Sequence, residues 1–167
     1  EGLIDIWCPA GAKLGWDFWK DKRTWTYASS SNKGRSPTGH YRYKLWQAFK
    51  HSCEGNGFWV YTDGNDLWDD YAGTPTYSVV YDGPSGVISS KRWEAYRAGV
   101  EDYELCKLLG DAIDAAKSAG RGNVTEVKAA GRSLDRHLKM VLDNRDDTMV
   151  AEQAHQALLR HLVILSA

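Results

Sequence analysis

The chain has 167 residues, 43% of them hydrophobic, which is enough for one globular domain with a substantial core. Its 21 Lys and Arg residues balance 22 Asp and Glu residues, so its charge does not favour nucleic acid or an anionic membrane surface as a partner. No apolar run approaches the roughly 20 residues that a membrane-spanning helix needs, and the first residues lack the pattern of a signal peptide. We therefore expect neither nucleic acid nor membrane as a partner.

Aromatic residues divide the chain into two parts. All Trp, Tyr and Phe residues lie between Trp7 and Tyr103, and residues 104–167 contain none. In the first part, four short segments rich in Ile, Val, Tyr and Trp are predicted to be strands. They are "LIDIW" at 3–7, "TWTYA" at 24–28, "GFWVYT" at 57–62 and "YSVVY" at 77–81.

The segment between the second and third predicted strands has a helical pattern. In "HYRYKLWQAFKHS", at 40–52, Tyr43, Trp46 and Phe49 fall near one helical face. A strand, a helix and a second strand in this order predict that the two strands pair in parallel.

A long amphipathic helix is predicted after the fourth strand. In "SSKRWEAYRAGVEDYELCKLLGDAI", at 89–113, apolar residues recur at alternate steps of three and four. Ser89 or Ser90 is the candidate N-cap. Arg97 and Glu101 are spaced to pair on the helix surface. Arg92 and Arg97 are expected to hold the helix to the ends of the strands through carboxylates.

Two further amphipathic helices are predicted, at about 124–143 and 148–165. Asn123 and Glu126 resemble a capping box at the start of the first one. The histidines of these helices are expected to be packing or solvated residues, because their spacing fits no metal site. They are His137, His155 and His161.

The ends of the predicted strands supply the candidate binding residues, because ligands bind beyond the carboxyl ends of the strands in a parallel sheet or barrel. Period-two alternation places Trp59, Tyr61 and Asp63 on one face of the third strand, and it places Trp25 and Tyr27 together on the second. The candidate site residues are Trp7, Trp25, Tyr27, Trp59, Tyr61, Asp63 and Tyr81.

Two interpretations of these aromatic residues stay open. Flat rings suit the apolar faces of sugars, while tyrosine hydroxyls and aspartates can bind sugar hydroxyls, so the pattern is typical of a carbohydrate cleft. Trp and Tyr are also common in strands and fill cores. The aspartates that follow are interpreted as solvated turn residues, with a cation site as the less favoured alternative. They are Asp66, Asp69 and Asp70.

No catalytic residue, metal or cofactor is predicted within this chain. Glu101 and Asp102 are adjacent acids, but neighbouring helical residues diverge by about 100° and cannot flank one glycosidic bond. We interpret both as structural.

Four motifs together resemble the C-terminal half of the catalytic domain of glycoside hydrolase family 123 and the related uncharacterised domain family. They are "TWTYASS", "YRYKLWQAFKHSCEGNGFWVYTD", "YSVVYDG" and "SSKRWEAYRAGVEDYELCKLL". The last is the most specific, because it contains an Arg-x-Gly-x-Glu-Asp-Tyr-Glu type pattern from Arg97 to Glu104. The resemblance implies an α/β fold: residues 1–110 would supply the last four strands of a (β/α)8 barrel with their helices, and residues 111–167 a helical C-terminal extension.

The resemblance also implies a function. It suggests a retaining, substrate-assisted β-N-acetylgalactosaminidase that acts on N-acetylhexosaminide glycans with a catalytic Asp-Glu pair. The chain contains no Asp-Glu dipeptide, so the pair is expected upstream, in a missing N-terminal barrel half from the same or another chain. This chain would then be the substrate-binding half and inactive alone. The alternative is a non-catalytic carbohydrate-binding or structural domain. The resemblance suggests export, but no export signal is visible, and the compartment stays open.

Overall fold

A computed structural model describes residues 3–10, 15, 17–29, 34–62 and 77–166. Helices contain 61% of the described residues. The four α-helices are α1 (Tyr43–Lys50), α2 (Lys91–Ala116), α3 (Thr125–Asp143) and α4 (Thr148–Ser166). A π-helical segment, Pro37–Arg42, runs directly into α1. The three long helices lie where the apolar periodicity predicts them.

The strands are short and form two separate pairs. β1 (Trp25–Ala28) and β2 (Gly55–Phe58) pair in parallel, with Trp25 opposite Gly55. This confirms the pairing that the strand, helix and strand order predicts. β3 (Tyr81–Gly83) and β4 (Gly86–Ile88) form an antiparallel hairpin.

The predicted half barrel is wrong. The described residues contain one two-stranded parallel sheet and one two-stranded hairpin, not a row of four parallel strands. The first predicted strand, 3–7, contributes only a bridge from Trp7 to Thr24. The fourth, 77–81, becomes a strand only at Tyr81, where the hairpin begins.

The failure has a physical reason. Val79 and Val80 are buried and pack with Tyr41, so their apolar, β-branched side chains contribute to a core without extending the parallel ladder. Short runs of such residues indicate burial as much as they indicate a strand.

The main core lies among the four helices. Its buried residues come from all of them, and partly buried apolar residues of α1, α3 and α4 pack against it. Representative members are Trp46, Leu109, Val127, Val141 and Leu158. α2 runs without interruption past residue 110, where the sequence predicts the helical extension to begin. α2 therefore contributes to both predicted segments of the chain.

The helix starts confirm one predicted cap and reject another. Ser90 is the N-cap of α2, and its Oγ accepts hydrogen bonds from the backbone N–H groups of Arg92 and Trp93. At α3 the N-cap is Val124, which makes no side-chain capping bond. The capping box predicted from Asn123 and Glu126 is therefore wrong.

Candidate functional site

β1 has a buried side and an exposed side. Thr26 and Ala28 are buried, while Trp25 and Tyr27 alternate with them and point the other way. Trp25 is 44% exposed and Tyr27 is half-buried. Strand alternation thus presents two of the predicted site residues together on the outer side of the sheet.

Glycines of β2 lie beneath these two rings. Trp25 pairs with Gly55 and Tyr27 pairs with Gly57. A Cβ atom added to Gly55 would lie 2.7 Å from an atom of the Trp25 indole, so the indole lies directly against the β2 backbone. The corresponding approach at Gly57, to the Tyr27 ring, is an ordinary 3.5 Å. Only a residue without a side chain at position 55 permits this placement of Trp25.

Trp59 extends the same exposed region, whereas Tyr61 contacts α2, which packs on the other side of the sheet. The Trp59 N–H donates to the Ala28 carbonyl at 2.9 Å, which continues the β1–β2 ladder by one residue. Trp59 is 51% exposed and Tyr61 is 44% exposed. The Tyr61 ring meets Trp93 of α2 edge-on, with 5.2 Å between ring centroids. We refer to Trp25, Tyr27 and Trp59 as the aromatic surface.

The other predicted site residues do not join the aromatic surface. Trp7 is in register with the buried Thr24, so it lies on the opposite side of the sheet, where its ring contacts Phe18 and Trp19. Tyr81 is half-buried, and its hydroxyl accepts a hydrogen bond from Arg92. Asp63 lies outside the described residues, as do Asp66, Asp69 and Asp70.

A buried polar network joins three helices around Asp102 of α2. The Asp102 carboxylate accepts hydrogen bonds from Arg42 Nε at 2.6 Å, from Arg42 Nη2 at 3.0 Å and from Trp46 Nε1 at 2.8 Å. His155 of α4 contacts the same carboxylate through Nδ1 at 2.8 Å, and Glu152 lies 3.5 Å from Arg42. Both carboxylate oxygens are therefore engaged twice.

This network keeps the Arg42 guanidinium positively charged. Burial lowers the pKa of Arg42, but the hydrogen bond and charge of Asp102, helped by Glu152, outweigh it and raise the pKa above its ordinary value. Asp102 is 1% exposed and fully hydrogen-bonded, so it is not available as an acid for an external substrate. This agrees with the interpretation of Asp102 as structural.

The Arg-x-Gly-x-Glu-Asp-Tyr-Glu type motif is explained by the contacts of α2 with earlier parts of the chain. A Cβ atom added to Gly99 would lie 3.0 Å from the Arg42 backbone, so Gly99 permits a close approach. Tyr103 donates its hydroxyl hydrogen to the Cys53 carbonyl at 2.8 Å. With Asp102, these residues attach α2 to α1 and to the turn before β2.

The two arginines at the start of α2 have partners other than those predicted. Arg97 pairs with Glu94 at 2.7 Å, not with Glu101, and both members are exposed. Arg92 donates to the Tyr81 hydroxyl at 3.1 Å, and no carboxylate of the described part of the chain bonds to it.

The polar network around Asp102 and the contacts of Arg92 were not predicted from the sequence. Asp102 is 60 residues from Arg42 and 53 from His155, so no local spacing reveals their contact. The one available signal was an acid placed among the apolar positions of an amphipathic helix, which requires a partner when it is buried.

Comparisons with known proteins identify no family: no family model, curated protein or solved structure matches the chain. The resemblance to glycoside hydrolase family 123 thus stays a prediction. Within the described residues, no group of three or more His, Cys, Asp and Glu side chains is arranged to hold a metal ion. Among the helices that the structure describes, none is sufficiently long and apolar to span a membrane.

Proposed function

We propose that the chain binds carbohydrate through the aromatic surface. The observation that carries the proposal is the exposure of two tryptophans, Trp25 at 44% and Trp59 at 51%, on adjoining strand segments. Exposed flat rings offer the apolar contact that sugar faces need, and the hydroxyl of Tyr27 can hydrogen-bond to sugar hydroxyls.

Placement against the backbone favours recognition over accidental exposure. The Trp25 indole lies against Gly55, and the Tyr27 ring lies over Gly57. Rings fixed in this way lose little conformational freedom when a ligand stacks on them, which favours affinity.

N-acetylhexosaminide glycans are the ligand class that the family resemblance supports. The chain has no Asp-Glu pair, and Asp102 is enclosed in its network. We therefore assign to these residues the sugar-binding part of a substrate-assisted glycoside hydrolase and assign no hydrolytic step to them.

Titration with oligosaccharides of N-acetylhexosamines tests the proposal. Trp25→Ala and Trp59→Ala should each weaken binding by roughly tenfold, since each removes a ring worth about 0.5 to 1.5 kcal/mol beyond its buried area. Phe18→Ala is the matched control, because Phe18 is exposed but contacts Trp7 on the other side of the sheet. Unchanged affinity in both Trp variants, with a native circular dichroism spectrum, would contradict the proposal.

A pair of glycine variants tests the placement of the ring without removing it. Gly55→Ala should displace the Trp25 indole and weaken sugar binding several-fold, whereas Gly57→Ala, with its ordinary 3.5 Å contact to Tyr27, should have a smaller effect. Equal binding by both variants would mean that the position of Trp25 does not matter. Release of sugar from an aryl N-acetylhexosaminide by the isolated chain would contradict the absence of a hydrolytic step.

A further inference from the structure

A cavity of about 500 Å³ lies at the start of α2. Its lining residues are Arg35, Pro37, Tyr81, Ser90, Lys91 and Arg92. Three of these carry a positive charge, and none of the lining residues that the structure describes is acidic. The composition of the wall therefore favours an anion.

Arg92 is the central feature of this wall. Its side chain is buried, at 5% exposure for the residue, and Nη2 donates to the Tyr81 hydroxyl at 3.1 Å. Nη1 is also buried, but it has no hydrogen-bond partner among the residues that the structure describes. A buried guanidinium donor without a partner is unfavourable, and a ligand oxygen within reach of Nη1 would relieve it.

The start of α2 adds positive potential to the cavity. α2 is 26 residues long, and its N-cap Ser90 and first residue Lys91 both line the wall. The partial positive charge at a helix N-terminus favours anions. Glu94, the acid in the first turn of α2, is already engaged by Arg97 and by the hydroxyl of Ser89.

Neighbouring side chains indicate the same sign of potential. The pKa of His40 is lowered to about 4 by its burial and by the charges of Lys44, Arg35 and Arg145. Burial also lowers the pKa of Lys44, and the charges of Arg145 and Arg35 lower it further. Arg35, a wall residue of the cavity, thus contributes a positive charge that His40 and Lys44 also sense.

We propose that this cavity binds an oxyanion, that is, a sulfate, phosphate or carboxylate group. Nη1 of Arg92 supplies the main hydrogen bond, the start of α2 supplies its dipole, and Lys91 supplies a charge at the rim. The proposal does not depend on sugar binding by the aromatic surface. A free ion and the acidic substituent of a saccharide present the same oxygens, and the titrations below distinguish them.

Calorimetric titration with sodium sulfate, at an ionic strength held constant with sodium chloride, tests the site. Wild-type protein should bind sulfate saturably. Arg92→Gln should weaken binding tenfold or more, as expected for a lost hydrogen bond to a charged group. Lys91→Gln should weaken it about two- to fivefold through the loss of one rim charge. Lys128→Gln is the matched control, because it removes one exposed lysine from α3 and should leave sulfate binding unchanged.

Two results would overturn the proposal: no binding of sulfate beyond that of chloride, or equal sulfate affinities for Lys91→Gln and Lys128→Gln. Lys91 is exposed, so its variant keeps the test valid even where Arg92→Gln fails to fold.

N-acetylgalactosamine 6-sulfate distinguishes the two sources of the oxyanion. Tighter binding of this sugar than of inorganic sulfate, lost in Trp59→Ala, would identify an acidic glycan as the ligand. Equal affinities, unaffected by Trp59→Ala, would identify a free ion. Trp59→Ala should weaken the binding of neutral N-acetylgalactosamine, whereas Lys91→Gln should leave it unchanged. Failure of the sugar proposal therefore remains separate from failure of the anion proposal.

Discussion

Trp46 in the helical core and Trp59 beside the sheet show how two regions of the molecule use the same side chain. Trp46 is almost fully buried, and its Nε1 donates to the Asp102 carboxylate. Trp59 continues the β1–β2 ladder with half of its surface exposed. The helical region has its aromatic and polar groups enclosed and paired, whereas the sheet presents rings to solvent. Substitutions should therefore affect stability in the first region and binding in the second.

The sharpest test of the helical region is Asp102→Ala. Removal of the carboxylate leaves the buried Arg42 without its main partner and Trp46 Nε1 without an acceptor, so unfolding free energy should fall by about 3 to 5 kcal/mol. Urea unfolding measures the loss. Glu101→Ala, on the exposed face of the same helix, should change stability by no more than about 0.5 kcal/mol. A loss below about 1 kcal/mol for Asp102→Ala would show that the network does not stabilise the fold.

Acidification should weaken the fold through His40. Burial, with Lys44, Arg35 and Arg145, lowers its folded pKa to about 4, while the unfolded residue titrates near 6.5. The unfolded state therefore binds more protons between these values, so stability falls as the pH decreases, by about 3 kcal/mol at pH 4. Unfolding curves from pH 7 to pH 4 should be flatter for His40→Gln than for wild type. Identical slopes would exclude His40 as a cause.

Alanine substitutions at two glycines of α2 should change the stability of the fold in opposite directions. Gly99→Ala places a methyl group 3.0 Å from the Arg42 backbone and should cost about 1 to 3 kcal/mol of stability. Gly110→Ala meets no atom of the described residues within 4 Å and should stabilise the helix by about 0.5 to 1 kcal/mol. Thermal unfolding compares the two variants directly. Similar melting temperatures would mean that α2 and the Arg42 segment approach less closely.

Trp59→Ala should have the smallest effect on stability. Half of the ring is exposed, so its removal should change the free energy of unfolding by less than about 1 kcal/mol while sugar binding weakens. Urea unfolding and sugar titration on the same sample check both statements. A loss above about 2 kcal/mol would show that Trp59 belongs to a core and would remove the contrast between the two regions.

Local pattern was enough to predict the helical part of the fold. The apolar spacing of α2, α3 and α4 and the Ser90 cap are properties of neighbouring residues, and they were found correctly. Parallel pairing of β1 and β2 also followed from their order with α1. The half barrel prediction failed because Val79 and Val80 are buried and their N–H groups bond to the Tyr61 carbonyl without forming a strand ladder.

The candidate site was predictable only in part. Alternation correctly put Trp25 and Tyr27 together, but no local pattern shows that Trp7 lies on the opposite side of the sheet. Trp46 and Trp59 have the same side chain, so composition cannot tell which one is buried. The Asp102 network depends on contacts across more than fifty residues, which only the tertiary fold establishes.

The contacts of Arg42 with residues far along the sequence also affect how the chain folds while it is being translated. Its partner Asp102 is 60 residues away, and Glu152 is 110 residues away on the final helix, α4. During translation α1 and α2 leave the ribosome well before α4. Their apolar inner faces therefore stay exposed to solvent until α4 is synthesised and covers them. Contacts of such long range slow folding and leave apolar surface open to aggregation. Nascent chains stalled before residue 148 should therefore be the ones that chaperones hold.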